Sequence, residues 1–225
     1  MALKLNEIER RVLGTLIEKW LTTPQAYPLS LNSLTNGCNQ KSARDPETSY
    51  TEQQVEQTCM ALKTRSLTMQ FFGAGARVSK WEEALSATMH LGKDEVAVLA
   101  ELMLRGPQSE GELRSRASRM VDFPTMESLH TTLESLRNRQ EPLVQRLSEE
   151  GRTRGVRWAH TFYAEGEALP QVQESPTTMA SGSFNAAPNS PTQLRQGFVG
   201  QAELEQRLAA LEARVAELER RTQGL

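Results

Sequence analysis

Apolar residues recur at helical spacing in two successive sets of three stretches, and each set ends in an alternating run. In the first set, Leu5, Ile8, Val12, Leu16 and Trp20 form one stripe, widened by Leu13 and Ile17 on its flank. Asn6 with Glu9 three residues on has the form of a capping box, which places the start of this helix. Pro24 and Pro28 close it. Leu29, Leu31 and Leu34 mark a short second helix, stopped near Asn36 and Gly37. A polar loop from Asn39 to Pro46 leads to a third helix with two start signals, Ser49 with Glu52 and Thr51 with Gln54. Val55, Cys59 and Leu62 are its buried stripe. Leu67, Met69 and Phe71 then alternate with Thr68, Gln70 and Phe72, as a strand does. Gly73–Ala76 is a turn, and residues 77–81 return as the partner strand.

The same order repeats from Lys93, with a period of about ninety residues. Val96, Leu99 and Met103 give a first helix ended by Gly106 and Pro107, and Ser109 with Glu112 caps a short second helix carrying Leu113 and Ala117. Met126, Leu129, Leu133 and Leu136 form the third helix, and Glu141-Pro142 ends it. A short run with Leu143 and Leu147 and the polar loop 149–155 precede Val156, Trp158, His160 and Phe162, which alternate with Arg157, Ala159, Thr161 and Tyr163 as a half-buried strand. Three helices followed by a hairpin, twice over, predict two tandem winged-helix domains, at 1–90 and 91–163. The fold class is mainly α with small β-hairpins.

Residues 164–200 hold Pro170, Pro176, Pro188 and Pro191 among small and polar residues, a composition that reads as a disordered linker. In 201–225, Leu204, Leu208, Leu211, Val215 and Leu218 are spaced four, three, four and three. With Arg207 and Arg214 at g and Glu212 and Glu219 at e, a parallel pair would match opposite charges, so these residues are the expected dimerisation seam of a coiled coil. About three heptads is short. A single amphipathic helix docked on its own chain is the other reading.

Composition narrows the class. The net charge of −2 gives no global pull toward nucleic acid or membrane, and no apolar run reaches transmembrane length. The N-terminus lacks the apolar core of a signal peptide, and the two cysteines fit neither a disulfide framework nor a zinc knuckle. A cytoplasmic protein with no cofactor, no metal and no membrane association is expected. His90, His130 and His160 have no ligand spacing, and Gly73-Ala74-Gly75 is too short for a phosphate loop.

Three strings carry a family resemblance: residues 5–19 (LNEIERRVLGTLIEK), Tyr27-Pro28-Leu29-Ser30-Leu31-Asn32, and Cys38-Asn39-Gln40-Lys41-Ser42-x-Arg44-Asp45-Pro46. Together with residues 155–160 (GVRWAH), they resemble the YceH-like family of uncharacterised bacterial proteins. The resemblance runs from Leu5 to about Tyr163 and implies a tandem winged-helix fold without an assigned activity.

Winged helices most often place the third helix in the major groove of DNA and the wing against phosphate. The expected function is therefore double-stranded DNA binding by a dimeric transcriptional regulator, not catalysis. Candidate contacts are Lys41, Arg44, Arg77, Lys80, Arg114, Arg116, Arg152, Arg154 and Arg157. Charge argues the other way. Residues 1–90 hold 10 Lys and Arg against 9 Asp and Glu, residues 91–163 hold 11 of each, and the third helices carry Glu52 and Glu56 in the first half and Glu127 and Glu134 in the second. Domains that live on phosphate contacts are usually more basic. The alternative is a tandem winged-helix scaffold that binds another protein and no DNA.

Overall fold

A computed structural model describes residues 2–72, 78–147, 156–164 and 166–167. The expected turn at 73–76, Arg77, Arg152, Arg154, the linker from residue 168 on and the heptad helix lie outside the described residues. The chain is mixed α and β: about half of the described residues are helical, and the strands form two small antiparallel sheets. Among the described residues, no helix is long and apolar enough to cross a membrane.

The first half runs α1 (Glu7–Thr22), β1 (Leu29–Ser30), α2 (Leu31–Cys38), α3 (Glu52–Thr64), β2 (Thr68–Phe71) and β3 (Lys80–Glu83). A short helix, α4 (Leu85–Met89), leads to the second half. There the order recurs as α5 (Lys93–Arg105), β4 (Gln108–Ser109), α6 (Glu110–Ala117), α7 (Met126–Arg137), β5 (Val144–Arg146) and β6 (Arg157–His160). The sheet orders match as well, β1-β3-β2 and β4-β6-β5. The first strand of each sheet, β1 and β4, is two residues long, too short to leave an alternating pattern.

Helix starts follow the sequence signals. Asn6 and Glu9, Thr51 and Gln54, and Ser109 and Glu112 each close a reciprocal capping box. Two expectations need correction. The second helix does not stop at Asn36-Gly37 but continues to Cys38. Gly37 is there for closeness, since a Cβ on it would lie 2.8 Å from Thr15 Cγ2. Among the described residues the return strand of the first hairpin starts at Lys80, and its Trp81, opposite Leu29 and Gln70, is fully buried.

The two halves share one core, so the expected boundary at residue 90 does not separate two cores. Helix α1 is buried all round from Arg10 to Glu18, and α5 from Val96 to Leu104. Each packs on its own half with one side and on the other long helix with the opposite side. Gly14 sets their approach: a Cβ there would meet Leu104 Cγ at 3.0 Å and the Ala100 carbonyl oxygen at 3.4 Å. Gly14→Val is therefore expected to lower stability by about 2 kcal/mol through overpacking. Urea denaturation checks this, and an unchanged midpoint would contradict it.

The chain ends of the two halves are also joined. Leu5 N–H donates to the Phe162 carbonyl at 2.8 Å, and Leu5 bridges Tyr163. This contact covers both faces of the segment after β6, so Ala159 and Tyr163 are buried along with Trp158, His160 and Phe162. A strand half-exposed along its length was expected; the first half supplies the extra cover. His160 stacks on Tyr163 with ring centroids 4.2 Å apart, and its Nδ1 accepts from Phe162 N–H at 3.2 Å. Burial, and then the positive charge of Arg10, push its pKa down to about 3. The folded value lies below the unfolded one, so the unfolded chain binds this proton first. The contribution is intact above about pH 6.5 and declines on acidification, on the order of 1 kcal/mol per pH unit down to the folded value. The His160 ring proton resonances are expected not to titrate between pH 8 and about pH 4.5; a midpoint near 6 would contradict this burial.

Candidate nucleic-acid interface

In the second half, α6, α7 and the β5–β6 sheet enclose a cleft of about 390 Å³ lined by Ser109, His130, Glu134, Arg137, Arg146 and Trp158, among others. Register explains the grouping, because Arg146 pairs with Trp158 across the sheet and so shares its face. The Trp158 indole N–H donates to Glu110 Oε1 at 3.0 Å, and His130 Nδ1 lies 3.2 Å from the same oxygen. Arg137 is exposed at the end of α7, 3.4 Å from Glu134. Arg146 was missed among the candidate contacts. The signal for it was the two-residue alternation of β5, which sets Arg146 on the opposite face from Gln145.

The other candidates in this half are held in place by polar contacts. Arg114 donates to the carbonyls of Phe123 (2.9 Å) and Pro124 (2.6 Å), bracing the turn between α6 and α7. Arg116 donates to Gln108 Oε1 at 2.7 Å, and Arg157 to the Pro107 carbonyl at 3.0 Å. Both also approach Glu112, at 3.5 and 4.0 Å. Burial alone would raise the Glu112 pKa, but hydrogen bonds from Ser109 and the charges of Arg116 and Arg157 hold it below the usual carboxylate value. The structure thus brings Arg116 and Arg157 together around one carboxylate.

In the first half, Lys41 is exposed in the loop after α2, and Lys80 is exposed on β3 opposite Phe71. The outer face of α3 presents Gln53, Glu56, Gln57, Met60 and Lys63. Glu52, at its first turn, accepts from the Asn32 side chain at 2.8 Å and ties α2 to α3.

Arg44 was expected to reach phosphate, and its position corrects that. Its guanidinium is fully buried, forked onto Glu18 at 2.6 and 3.2 Å and donating to the carbonyls of Gly37 and Ala43 at 2.8 Å each. Arg119 also donates to Glu18, and bonds Glu101 at 3.1 Å; Glu101 in turn pairs with Arg105 at 3.3 Å. A buried charge cluster therefore links α1, the loop after α2, α5 and the segment after α6. Burial opposes ionisation of Glu18, yet the hydrogen bonds and charges of Arg44 and Arg119 prevail and lower its pKa. Arg11 adds a second clamp on the same loop, donating to the carbonyls of Cys38 at 3.1 Å and Pro46 at 2.6 Å.

Residues 5–163 match the family described as a protein of unknown function, DUF480. The chain belongs to the DUF480 family. Relatives carry the matching name UPF0502 protein. One from Geotalea daltonii is 46% identical over 181 residues, covering 80% of this chain and 82% of its own length. One from Shewanella pealeana is 38% identical over 227 residues, with 99% of each chain covered. The UPF0502 protein YceH of Salmonella paratyphi B is 38% identical over 230 residues, covering 100% of this chain and 97% of its own.

The DUF480 match begins and ends on two residues that touch, since Leu5 bridges Tyr163. The string that carried the resemblance, Asn39 to Pro46, is a structural clasp in this DUF480 chain. Asn39 holds Tyr50 through both ends of its amide, at 2.8 and 2.7 Å. Gln40 accepts from Lys19 at 3.1 Å, Arg44 is buried on Glu18, and the Asp45 N–H donates to the Leu104 carbonyl of α5 at 2.9 Å. Cys38 is buried beside it, and burial pushes its thiol up to about 11, well away from a reactive thiolate.

Proposed function

We propose that this DUF480 chain is a double-stranded DNA-binding protein built from two winged-helix domains, with the second domain as the main phosphate-contacting surface. One observation carries the reading. Each half has the order helix, strand, helix, helix, strand, strand with the last strand central in its sheet, an order that supports the winged-helix reading. In that topology α3 and α7 are the groove-reading helices, and the β2–β3 and β5–β6 hairpins are the wings.

Charge then distinguishes the halves. The first has an α3 face of glutamine and glutamate and a hairpin with exposed Phe71 and Phe72. The second sets Arg137 and Arg146 along the cleft between α7 and its wing, and the wing loop adds Arg152 and Arg154 in sequence. Phosphate contacts from this side would position α7, whose His130 and Thr131 are exposed and can hydrogen-bond base edges. A regulator acting as a dimer through the heptads at 204–218 fits this arrangement. The second reading, a protein-binding scaffold, is favoured by the apolar first hairpin and the near-neutral charge.

Fluorescence anisotropy with a labelled duplex tests the proposal. The expected result is binding at low salt whose affinity falls linearly in log–log form as salt rises. Absence of binding at the lowest salt would sink the DNA reading and leave the scaffold.

A further inference from the structure

Six large apolar side chains stand exposed among the described residues, and four of them, Met69, Phe71, Phe72 and Val78, lie on or beside the first hairpin. The strand that carries Met69 and Phe71, β2, is the outer strand of its sheet. Its ladder phase can be read from one bond. The Ala84 N–H donates to the Leu67 carbonyl at 2.9 Å, which makes Thr68 and Glu83 a pair that does not exchange hydrogen bonds. Such pairs alternate with bonded ones. Met69 and Phe71 therefore direct their backbone groups to β3, and Gln70 directs its N–H and C=O away from the sheet. An open edge of this kind is ordinarily blunted by charge, proline or a bulge. Thr68-Met69-Gln70-Phe71 has no charge and no proline, and it pairs with β3 without a bulge.

We infer that β2 pairs with β2 of a second copy of this chain, antiparallel about a two-fold axis through Gln70, so that two three-stranded sheets become one of six strands. The strand is self-complementary in this register. Gln70 faces Gln70 of the partner subunit and the two exchange both backbone hydrogen bonds. Met69 faces Phe71 of the partner subunit on the outer face, in the closer spacing of a non-bonded pair. Because Met69 stands opposite Glu82 and Phe71 opposite Lys80 within one copy, each cross-sheet row becomes glutamate, methionine, phenylalanine, lysine. Within these outer-face rows no like charges face each other, and the apolar pair sits at the centre; on the inner face Lys63 donates to Gln70 Oε1 at 3.0 Å, so each Lys63 must keep to its own Gln70 as the two copies meet. This charge balance favours a second copy over a nucleic acid, which would meet one lysine, Lys80, and one glutamate, Glu82, among the described residues of that face. The interface is isologous, so it closes as a dimer and does not propagate. It is distinct from the heptad seam and does not depend on DNA binding.

Sedimentation velocity on the full chain over a concentration series tests it, with folding of each variant checked by circular dichroism. Wild type is expected to associate reversibly. Met69→Lys with Phe71→Lys, both at exposed positions, is expected to weaken association at least ten-fold, while Leu208→Asp with Leu211→Asp leaves it measurable. Gln70→Cys provides a test on the axis itself: bonded cross-strand pairs have a Cα separation of about 5.5 Å, within disulfide reach. Mild oxidation is expected to convert Gln70→Cys to a covalent dimer at least ten times faster than Lys80→Cys, which is off the axis. Cys38 and Cys59 are buried and give little background. A chain that stays monomeric, an association indifferent to the lysine pair, or equal crosslinking of the two cysteine variants would each overturn the inference. So would a monomer whose lysine pair instead reduces affinity for duplex DNA, a result that assigns the hairpin to the groove.

Discussion

Replacing Glu18 by alanine is expected to destabilise the protein by about 3–5 kcal/mol, the usual cost of removing one partner from a buried ion pair. Glu18 has no exposed side-chain surface and, among the described residues, is the carboxylate onto which Arg44 forks. Without it, Arg44 keeps its carbonyl partners but loses its compensating charge among the described residues, and Arg119 keeps Glu101. Glu18→Gln is expected to cost less, since an amide oxygen still accepts one hydrogen bond from Arg44. The effect should extend beyond one half, because the cluster joins α1 to α5 and to the segment after α6. The pH dependence has a definite sign. The folded pKa of Glu18 lies below its unfolded value, so its contribution is fully present above about pH 4.5 and is lost as pH falls through the folded value. Urea denaturation of wild type and Glu18→Ala at pH 7 checks this. A difference under about 1 kcal/mol would mean that water or a rearranged neighbour compensates the arginines.

The same cluster marks where the sequence stopped being legible. Helix starts, the repeat and the hairpins could be read because capping boxes and two-residue alternation are local signals. Contact between α1 and α5 could not, because a stripe reports that a face is buried without reporting what covers it. A trace was nonetheless present. Val96 to Leu104 is apolar nearly all round, the mark of a helix covered on both sides, and Gly14 sits inside an otherwise good helix at the point of closest approach. Arg44 was misread for a related reason. An arginine in a polar loop looks like a phosphate contact, and its partner, Glu18, is 26 residues earlier on a helix whose apolar stripe gave no hint of a buried carboxylate. Arg114, Arg116 and Arg157 lie in the same half as the cleft, but each braces a turn or a strand end. Arg146 became visible only when β5 and β6 were in register.

The second large effect concerns that register. Arg137→Ala with Arg146→Ala is expected to weaken duplex binding by about ten- to a hundred-fold at low salt. Each lost phosphate contact should also lower the steepness of the salt dependence by about one. Neither side chain is part of the Glu18 cluster, but Arg146 is half-buried, so circular dichroism and urea denaturation must show that the variant keeps its fold before its binding is compared. Lys41→Ala is the comparison from the first half, and a change of less than about two-fold is expected there, because the α3 face and the first hairpin present little positive charge. Equal losses from both halves would spread the contact surface over the whole chain.

The measurement that tests the central claim most directly is anisotropy of a labelled duplex of about 25 base pairs, titrated with wild type and with the Arg137→Ala/Arg146→Ala variant between 50 and 200 mM salt. The account predicts wild-type binding that weakens steeply with salt, and a variant that binds less tightly with a shallower slope. Wild type and variant with the same affinity and the same slope would contradict it.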